Sequence, residues 1–213
     1  GRVVALMNRS SAVVYVRSIR LRDSELGLAK IAGKPMIEYV LDSLPDDVEE
    51  VVIAVENGGS VEAYDEVAEK YFARTTRSEK ITGDARKFVE FAVNMVEGDQ
   101  LIILPGDAPL ITREFTTFLL ECSRRFTAAL PRSPARKALY LMASYQIKPF
   151  REAFNAHPED DMDSIVRKVG RALYLSSNSL KIFDEKLGMF FRVSTIQDLR
   201  RAEKILKMRK KKS

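Results

Sequence analysis

A carboxylate that follows a short apolar run is the feature of this sequence best suited to chemistry. The run Leu101–Leu104 is long enough for a buried strand and too short for a core helix. Asp107 follows it after a Pro-Gly break, and a helix is predicted to begin near Thr112. Acids at the carboxyl ends of central strands lie where open α/β sheets bind ligands. Asp107 is therefore a candidate site residue, although Pro-Gly-Asp is also ordinary turn chemistry.

The elements that must position Asp107 alternate along the chain. The apolar patterns predict strands at 2–7, 51–55, 101–104, 126–130, 138–145, 171–175 and 190–193, and a further strand pattern at 12–16. They predict helices at 34–44, 60–72, 84–96, 115–126 and 161–169, and a last helix whose capping box spans Thr195 to Asp198. This order predicts a mostly parallel sheet with helices on both faces. No repeat or linker interrupts it, which favours one domain over residues 1–213.

Composition narrows the class of protein. With 213 residues, of which 46% are hydrophobic, the chain is typical of an ordinary globular core. No apolar run approaches the ~18 residues of a membrane span, and the start lacks a secretory pattern. We therefore expect a cytoplasmic protein with no membrane partner. The single cysteine, Cys122, excludes an intramolecular disulfide and a cysteine-cluster metal site, and we interpret it as a packing residue.

The net charge of +5 comes from the end of the chain, because residues 207–213 hold five cations and no acid. A basic tail of this kind can bind nucleic acid or an anionic surface. A frayed, solvated helix end is the commoner meaning, since cations suit the negative end of a helix dipole. We therefore expect no nucleic-acid partner.

Three segments resemble the MobA-like nucleotidyltransferases. They are IAGKPMIEYVLDSL (31–44), LPGDAPLIT (104–112) and FFRVSTIQDLRRAEKI (190–205), and their order and spacing match through nearly the whole chain. The resemblance implies an α/β fold, a Rossmann-like three-layer α/β/α sandwich of the nucleotide-diphospho-sugar transferase type. It also implies transfer of a nucleoside monophosphate, GMP from GTP, to a phosphorylated cofactor precursor such as adenosylcobinamide phosphate or molybdopterin.

The resemblance also implies what the site holds. Asp107 matches the family's metal-binding aspartate, so Mg²⁺ is expected there, with GTP as the nucleotide substrate. The expected partners are the triphosphate and the acceptor, and a homodimer is left open. The other candidate nucleotide-binding residues are Asn8, Arg9, Ser10, Lys34, Gly83, Asp84 and Gly106. Alternatively, Lys34 is a solvated lysine at a helix start, and Gly83 and Asp84 are a turn and a helix N-cap.

The chain departs from the family at its phosphate-binding loop. The family's first strand runs into a glycine-rich loop, whereas this chain has no glycine between Met7 and Leu26. The family's lysine falls on Leu26, and the asparagine and proline of the closing turn fall on Ser194 and Ile196. Arginines could replace the lost phosphate contacts, namely Arg9, Arg17, Arg20 and Arg22.

Other interpretations of this stretch stay open. The alternating pattern favours a basic, solvated hairpin with Val13, Tyr15 and Ile19 turned inward, and a sequence anomaly is a third alternative. The corresponding alternative function is a degenerate, non-catalytic relative that binds nucleotide weakly or serves as an interaction subunit.

Two further groups of polar residues carry weaker signals. His157, the only histidine, has no serine or cysteine partner nearby in sequence, so we do not expect it to be catalytic. The acidic residues Asp160, Asp161 and Asp163 could supply a second metal ligand. The more common meaning of such a run is a loop followed by a helix start that negative charge favours.

Overall fold

The computed structural model of the protein describes residues 8–212, so the strand expected at 2–7 lies outside the described residues. The strands are β1 (Ser10–Val16), β2 (Arg20–Leu21), β3 (Ser24–Glu25), β4 (Lys30–Ile31), β5 (Lys34–Pro35), β6 (Val48–Glu56), β7 (Arg74–Ser78), β8 (Gln100–Pro105), β9 (Ala128–Pro131), β10 (Ala143–Gln146) and β11 (Ala172–Leu175). The helices are α1 (Met36–Leu41), α2 (Asp65–Lys70), α3 (Ala85–Met95), α4 (Arg113–Arg125), α5 (Ile147–Ala156), α6 (Met162–Val169), α7 (Ser177–Leu180) and α8 (Ile196–Lys212).

A seven-stranded sheet with the order β11-β9-β10-β8-β1-β6-β7 forms the middle layer. Its strands pair in parallel except β10, which is antiparallel to both of its neighbours. Strand β1 lies between β6 and β8, and all seven of its residues are buried. A continuous buried run is typical of a parallel strand that is covered on both faces.

The side chains of β1 alternate between two cores. Val14 packs on one face with residues such as Ile37 of α1 and Phe115 of α4. Val13 packs on the other face with residues such as Phe88 of α3 and Phe150 of α5. The predicted three-layer α/β/α sandwich is therefore confirmed.

A third, smaller core lies under α8. It contains Leu26, Ile31, Met36, Val193 and Ala202, all of them fully buried. This core joins the loop after β1 to the last helix, and it thereby brings the closing segment of the chain beside the carboxyl ends of β1 and β8.

Most predicted elements are confirmed, three predicted elements differ, and two elements were missed. The solvated hairpin expected around 12–16 is wrong, because Ser10–Val16 is the central buried strand. The strand expected at 138–145 is shorter, and 190–193 is not a strand but follows a 3₁₀ turn. The sequence patterns missed β7, whose residues RTTRS carry no apolar alternation, and α5, which has a proline in its first turn.

The helix ends confirm the predicted caps. The Asp84 side chain accepts a hydrogen bond from the Lys87 amide at 3.2 Å, and that of Asp161 from the Ser164 amide at 2.8 Å. The capping box before α8 is complete, since the Thr195 and Asp198 side chains each accept from the other's amide at 3.1 and 3.0 Å.

Helix α8 continues through Lys212 and its last residues are exposed, so the end is solvated as expected but helical rather than frayed. Arg209 fastens this end to the body of the protein, because it donates to the Leu110 carbonyl at 2.9 Å and to Asp184 at 2.8 Å. Within residues 8–212, none of the helices combines the length and the apolar character that a membrane span requires.

Candidate active site at the carboxyl edge of the sheet

The carboxyl ends of β1 and β8 lie side by side, at the end of the sheet where the parallel strands finish. The two strands are parallel neighbours, and Tyr15 is in register with Pro105. The Gly106 amide then donates to the Tyr15 carbonyl at 2.7 Å. A Cβ atom at Gly106 would lie 2.7 Å from Val16 Cγ1, so only glycine allows this approach. The next residues of the two segments, Arg17 and Asp107, therefore come side by side.

Asp107 is held between two arginines that come from distant parts of the chain. Its Oδ2 lies 2.6 Å from Arg17 Nη2 and accepts from Arg17 Nε at 2.8 Å, while its Oδ1 accepts from Arg192 Nε. Arg17 Nη2 also donates to the Val193 carbonyl at 3.1 Å and to Ser194 Oγ at 2.9 Å. Asp107 is only 2% exposed. A buried carboxylate therefore organises two guanidinium groups, a cluster that we call the Arg-Asp-Arg cluster.

The surroundings keep Arg192 charged. Its guanidinium carbon lies 5.7 Å from the centroid of the Tyr15 ring. Burial by itself would lower the pKa of Arg192, but Tyr15 and the Asp107 carboxylate outweigh it and raise the pKa above its ordinary value. Burial also raises the pKa of the Tyr15 hydroxyl, which stays neutral. The cluster therefore presents fixed positive charge at this edge of the sheet.

A cavity of about 700 Å³ opens beside the cluster. Arg17, Arg192 and Ser194 line one part of it, and apolar or aromatic side chains line much of the rest, namely Ile81, Leu139, Tyr140, Leu141, Met142 and Phe190. This size falls within the range of pockets that bind small molecules. The combination of a cationic part and an apolar, aromatic part suits a ligand with phosphate groups and a flat ring.

Tyr140 supplies a neutral hydroxyl to the wall of this cavity. Burial and the nearby Asp163 carboxylate raise the pKa of Tyr140 to about 12. Its hydroxyl donates to Asp163 Oδ1 at 3.4 Å. Tyr140 can therefore stack against a ligand without carrying charge at neutral pH.

The loop after β1 uses several of its backbone amides within the protein. The Ser18 amide donates to Glu56 Oε1 at 2.8 Å, and the Gly27 amide donates to the Tyr64 hydroxyl at 3.2 Å. Leu26, the position of the family's lysine, is fully buried in the third core. These two amides of the loop are therefore occupied within the protein, and the position of the family's lysine carries a buried leucine.

The structure brings three of the predicted site residues to the cavity region and leaves Lys34 elsewhere. Gly106 adjoins Asp107, Gly83 lines the cavity, and Asp84 caps α3 directly after it. Lys34 instead pairs with Asp42, and its Nζ lies 4.5 Å from the centroid of the Tyr39 ring.

Asn8, Arg9 and Ser10 lie at or before the start of β1, at the opposite edge of the sheet. Ser10 is in register with Gln100 at the start of β8, and Arg9 pairs with Glu49 at 3.2 Å. Seven residues of strand span about 20 Å at ~3.3 Å per residue. The structure therefore separates these three residues from Asp107, because the length of β1 lies between them and the carboxyl end of the strand.

The Arg-Asp-Arg cluster does not fit a metal ion. Both Asp107 oxygens accept from guanidinium groups, and within residues 8–212 no three His, Cys, Asp or Glu side chains gather as a metal site would require. The acidic residues considered as further ligands have other partners. Asp160 pairs with Lys168, Asp163 pairs with Arg167 at 3.4 Å, and Asp161 caps α6.

Sequence reasoning missed Arg192 and Tyr15. Arg192 lies in the segment FFRVST that carried part of the resemblance, but nothing in its spacing distinguished it from a surface arginine. The available signal was a lone cation within an apolar stretch directly before a capping box. The packing of the third core, which includes Val193, and the hydrogen bond from the Val193 amide to the Asp107 carbonyl at 2.9 Å turn that segment toward Asp107.

Comparisons with known proteins identify the family and the fold of this chain. The model of the MobA-like NTP transferase domain matches residues 17–173. A probable molybdenum cofactor guanylyltransferase from Natranaerobius thermophilus is 22% identical over 206 residues, which cover 93% of this chain and 97% of the relative.

Solved structures show the same fold. Molybdopterin-guanine dinucleotide biosynthesis protein A from Archaeoglobus fulgidus matches with a TM-score of 0.68 and 18% identity, covering 93% of this chain and 99% of that one. The 2-C-methyl-D-erythritol 4-phosphate cytidylyltransferase from Thermus thermophilus matches with a TM-score of 0.61 and 14% identity, covering 94% and 100%. The predicted nucleotide-diphospho-sugar transferase type of fold is thereby confirmed.

Proposed function

The chain belongs to the MobA-like NTP transferase family, and we propose that it transfers GMP from GTP to a phosphorylated acceptor of the molybdopterin type. The observation that carries this proposal is the pair of charged guanidinium groups on Asp107 at one part of a cavity of about 700 Å³. The choice of base and acceptor rests on the likeness to a probable molybdenum cofactor guanylyltransferase, and adenosylcobinamide phosphate is the other acceptor to test.

The proposed reaction needs neutralisation of charge more than it needs a proton acceptor. An oxygen of the acceptor's phosphate dianion attacks the α-phosphorus of GTP and forms a new P–O–P linkage. The bond between the α-phosphorus and the bridging oxygen breaks, and pyrophosphate leaves with that electron pair. Positioning and electrostatic stabilisation dominate catalysis of such transfers. Arg17 and Arg192 are placed to supply both.

The cavity suggests how the two substrates lie. The phosphates face Arg17 and Arg192, where guanidinium groups bind phosphate oxygens in pairs. A flat ring lies toward Gly83 and Tyr140, where the wall is apolar and aromatic. Within residues 8–212, no atom beyond its two chain neighbours lies within 4 Å of the position that a Cβ at Gly83 would take, which leaves open space for a ring beside it.

The Mg²⁺ that the resemblance implies stays a prediction for this chain. Because the Arg-Asp-Arg cluster does not fit a metal ion, we assign no step of the reaction to one. A cytoplasmic location and a homodimer likewise stay predictions.

One observation favours the alternative, a non-catalytic relative. The Ser18 amide, in the loop that would wrap a triphosphate, already donates to the Glu56 carboxylate at 2.8 Å. A protein that keeps this contact would bind nucleotide weakly and would act as a scaffold for another protein.

Calorimetric titration of the purified protein with each NTP, GTP first, separates the two functions. Micromolar binding that is selective for GTP, followed by pyrophosphate release when a molybdopterin-type acceptor is added, would support the proposed function. Absence of binding by every NTP at millimolar concentration would overturn it in favour of the scaffold. Turnover with a different NTP or acceptor would keep the reaction class and correct the substrate.

A further inference from the structure

The carboxylate that the family resemblance assigns to a metal has its oxygens engaged by protein groups. Oδ2 of Asp107 accepts from Arg17 Nε and lies 2.6 Å from Arg17 Nη2, and Oδ1 accepts from Arg192 Nε. The Asp107 side chain is 3% exposed, whereas Arg17 and Arg192 are 30% and 34% exposed. The acid is therefore enclosed, and the two cations are the part of the cluster that a ligand meets.

A divalent cation would find few ligands in this arrangement. Mg²⁺ requires near-octahedral oxygen ligands at about 2.1 Å and usually keeps several waters, for which an enclosed carboxylate leaves no room. Glu56 also lines the cavity, but its Oε1 accepts from the Ser18 amide. Coordination by Asp107 would require both arginine contacts to break first.

Two guanidinium groups fixed on one carboxylate form a suitable anion site. Arg17 is held through Nε and Nη2, since Nη2 also donates to the Val193 carbonyl and to Ser194 Oγ. Arg192 uses its Nε on Asp107 and lies along the Tyr15 ring. A guanidinium carries five N–H donors, so each group keeps donors for phosphate oxygens after these contacts are made.

We propose that Asp107 is a positioning residue rather than a metal ligand, and that Arg17 and Arg192 bind the triphosphate directly, without a divalent cation. The proposal rests on the proposed function for the identity of the nucleotide. The anion site itself does not depend on that function, because it would also bind inorganic tripolyphosphate.

The test compares binding with and without metal. GTP and inorganic tripolyphosphate are titrated into the wild-type protein in EDTA and in MgCl₂, and the same titrations are made with Arg192→Met. Arg9→Met is the matched control, because Arg9 lies at the other edge of the sheet. We expect metal-free Kd values within about threefold of those in Mg²⁺. Arg192→Met should weaken both ligands by roughly tenfold to hundredfold, the effect of losing one charge-assisted hydrogen bond.

Asp107→Asn distinguishes positioning from metal binding. As a positioning residue, Asp107 keeps part of its hydrogen bonding as asparagine, so KM should rise more than kcat falls and the Mg²⁺ dependence should stay unchanged. A Mn²⁺ titration followed by electron paramagnetic resonance should show no ion bound to the free wild-type protein. If Asp107→Asn does not fold, the wild-type titrations and the Mn²⁺ spectra still decide the proposal.

The outcomes separate this proposal from the function on which it rests. Binding of GTP that appears only with Mg²⁺, or Mn²⁺ bound to the wild type, would overturn the metal-free site and leave the transferase intact. Metal-free binding of tripolyphosphate without selective binding of GTP would support the anion site and overturn the proposed substrate. Loss of all binding under both conditions would overturn both.

Discussion

The two ends of β1 each carry arginines and acids, but in opposite settings. At the carboxyl end, the Asp107 side chain is 3% exposed and both of its oxygens pair with arginines that line a cavity. At the amino end, Arg9 and Glu49 form a pair that is 64% and 49% exposed. Charge pairs in water contribute little, whereas a buried pair is costly to break. Burial therefore distinguishes a built site from surface charge.

The largest expected effect on stability is the loss of the buried acid. Asp107→Ala leaves two guanidinium groups without their shared partner, so we expect the free energy of unfolding to fall by about 3 kcal/mol. Glu49→Ala, its counterpart at the amino end, should lower it by less than about 1 kcal/mol. Urea denaturation of both variants at the same pH measures the difference. Equal losses in the two variants would show that the cluster is not a buried network.

At both ends of β1, a glycine allows the chain to pass closer to neighbouring atoms than a residue with a Cβ atom could. A Cβ at Gly106 would lie 2.7 Å from Val16 Cγ1, and one at Gly98 would lie 2.8 Å from the Arg9 carbonyl oxygen. We expect Gly106→Ala and Gly98→Ala each to lower the free energy of unfolding by about 1–3 kcal/mol. Gly83→Ala is the control, because open space surrounds its Cβ position. Thermal unfolding compares the three variants, and a destabilised Gly83→Ala would contradict the expected order.

A carboxylate at the amino end of β1 should make the free energy of unfolding fall at acidic pH. Partial burial by itself would raise the pKa of Glu50, but hydrogen bonds from the Glu97 amide, Arg74 and Ser11 outweigh it and hold the pKa below its ordinary value. A lowered carboxyl pKa gives stability that is present above the pKa of the unfolded chain, ~4.3, and is lost as pH falls through the folded pKa.

Glu50→Gln should therefore flatten the loss of stability between about pH 5 and pH 3. Chemical denaturation across this range measures the slope, with Glu49→Gln as the control. A slope identical to that of the wild type would show that the contacts of Glu50 do not stabilise its charged form.

The smallest expected effect is at Ser10, one of the residues that the sequence suggested for nucleotide binding. Its hydroxyl is buried and has no hydrogen-bond partner within residues 8–212. Ser10→Ala removes an unsatisfied group, so we expect the free energy of unfolding to change by less than about 0.5 kcal/mol. The Kd for GTP should also stay unchanged. A weaker affinity for GTP in this variant would bring the amino end back into the binding site.

The sequence predicted correctly the features that depend on residues close together in the chain. Caps such as Asp84, Thr112 and Asp161 bind amides three residues away, and their residue types show this directly. The predictions were wrong where tertiary contacts determine which residues form a strand and which of its faces are buried. The stretch 10–16 alternates like a hairpin strand but is buried on both faces, and β7 pairs at the sheet edge although its residues are polar.

By itself, the sequence determined the α/β alternation, the family and the position of Asp107 at the end of a central strand, because each depends on local pattern or on order along the chain. The tertiary structure decided which groups surround that acid. Arg17 and Arg192 are 175 residues apart and meet on Asp107 because the third core and the hydrogen bond from the Val193 amide to the Asp107 carbonyl hold the closing segment against the loop after β1. Residue types show that a carboxylate is present, whereas packing determines whether it faces a metal or two arginines.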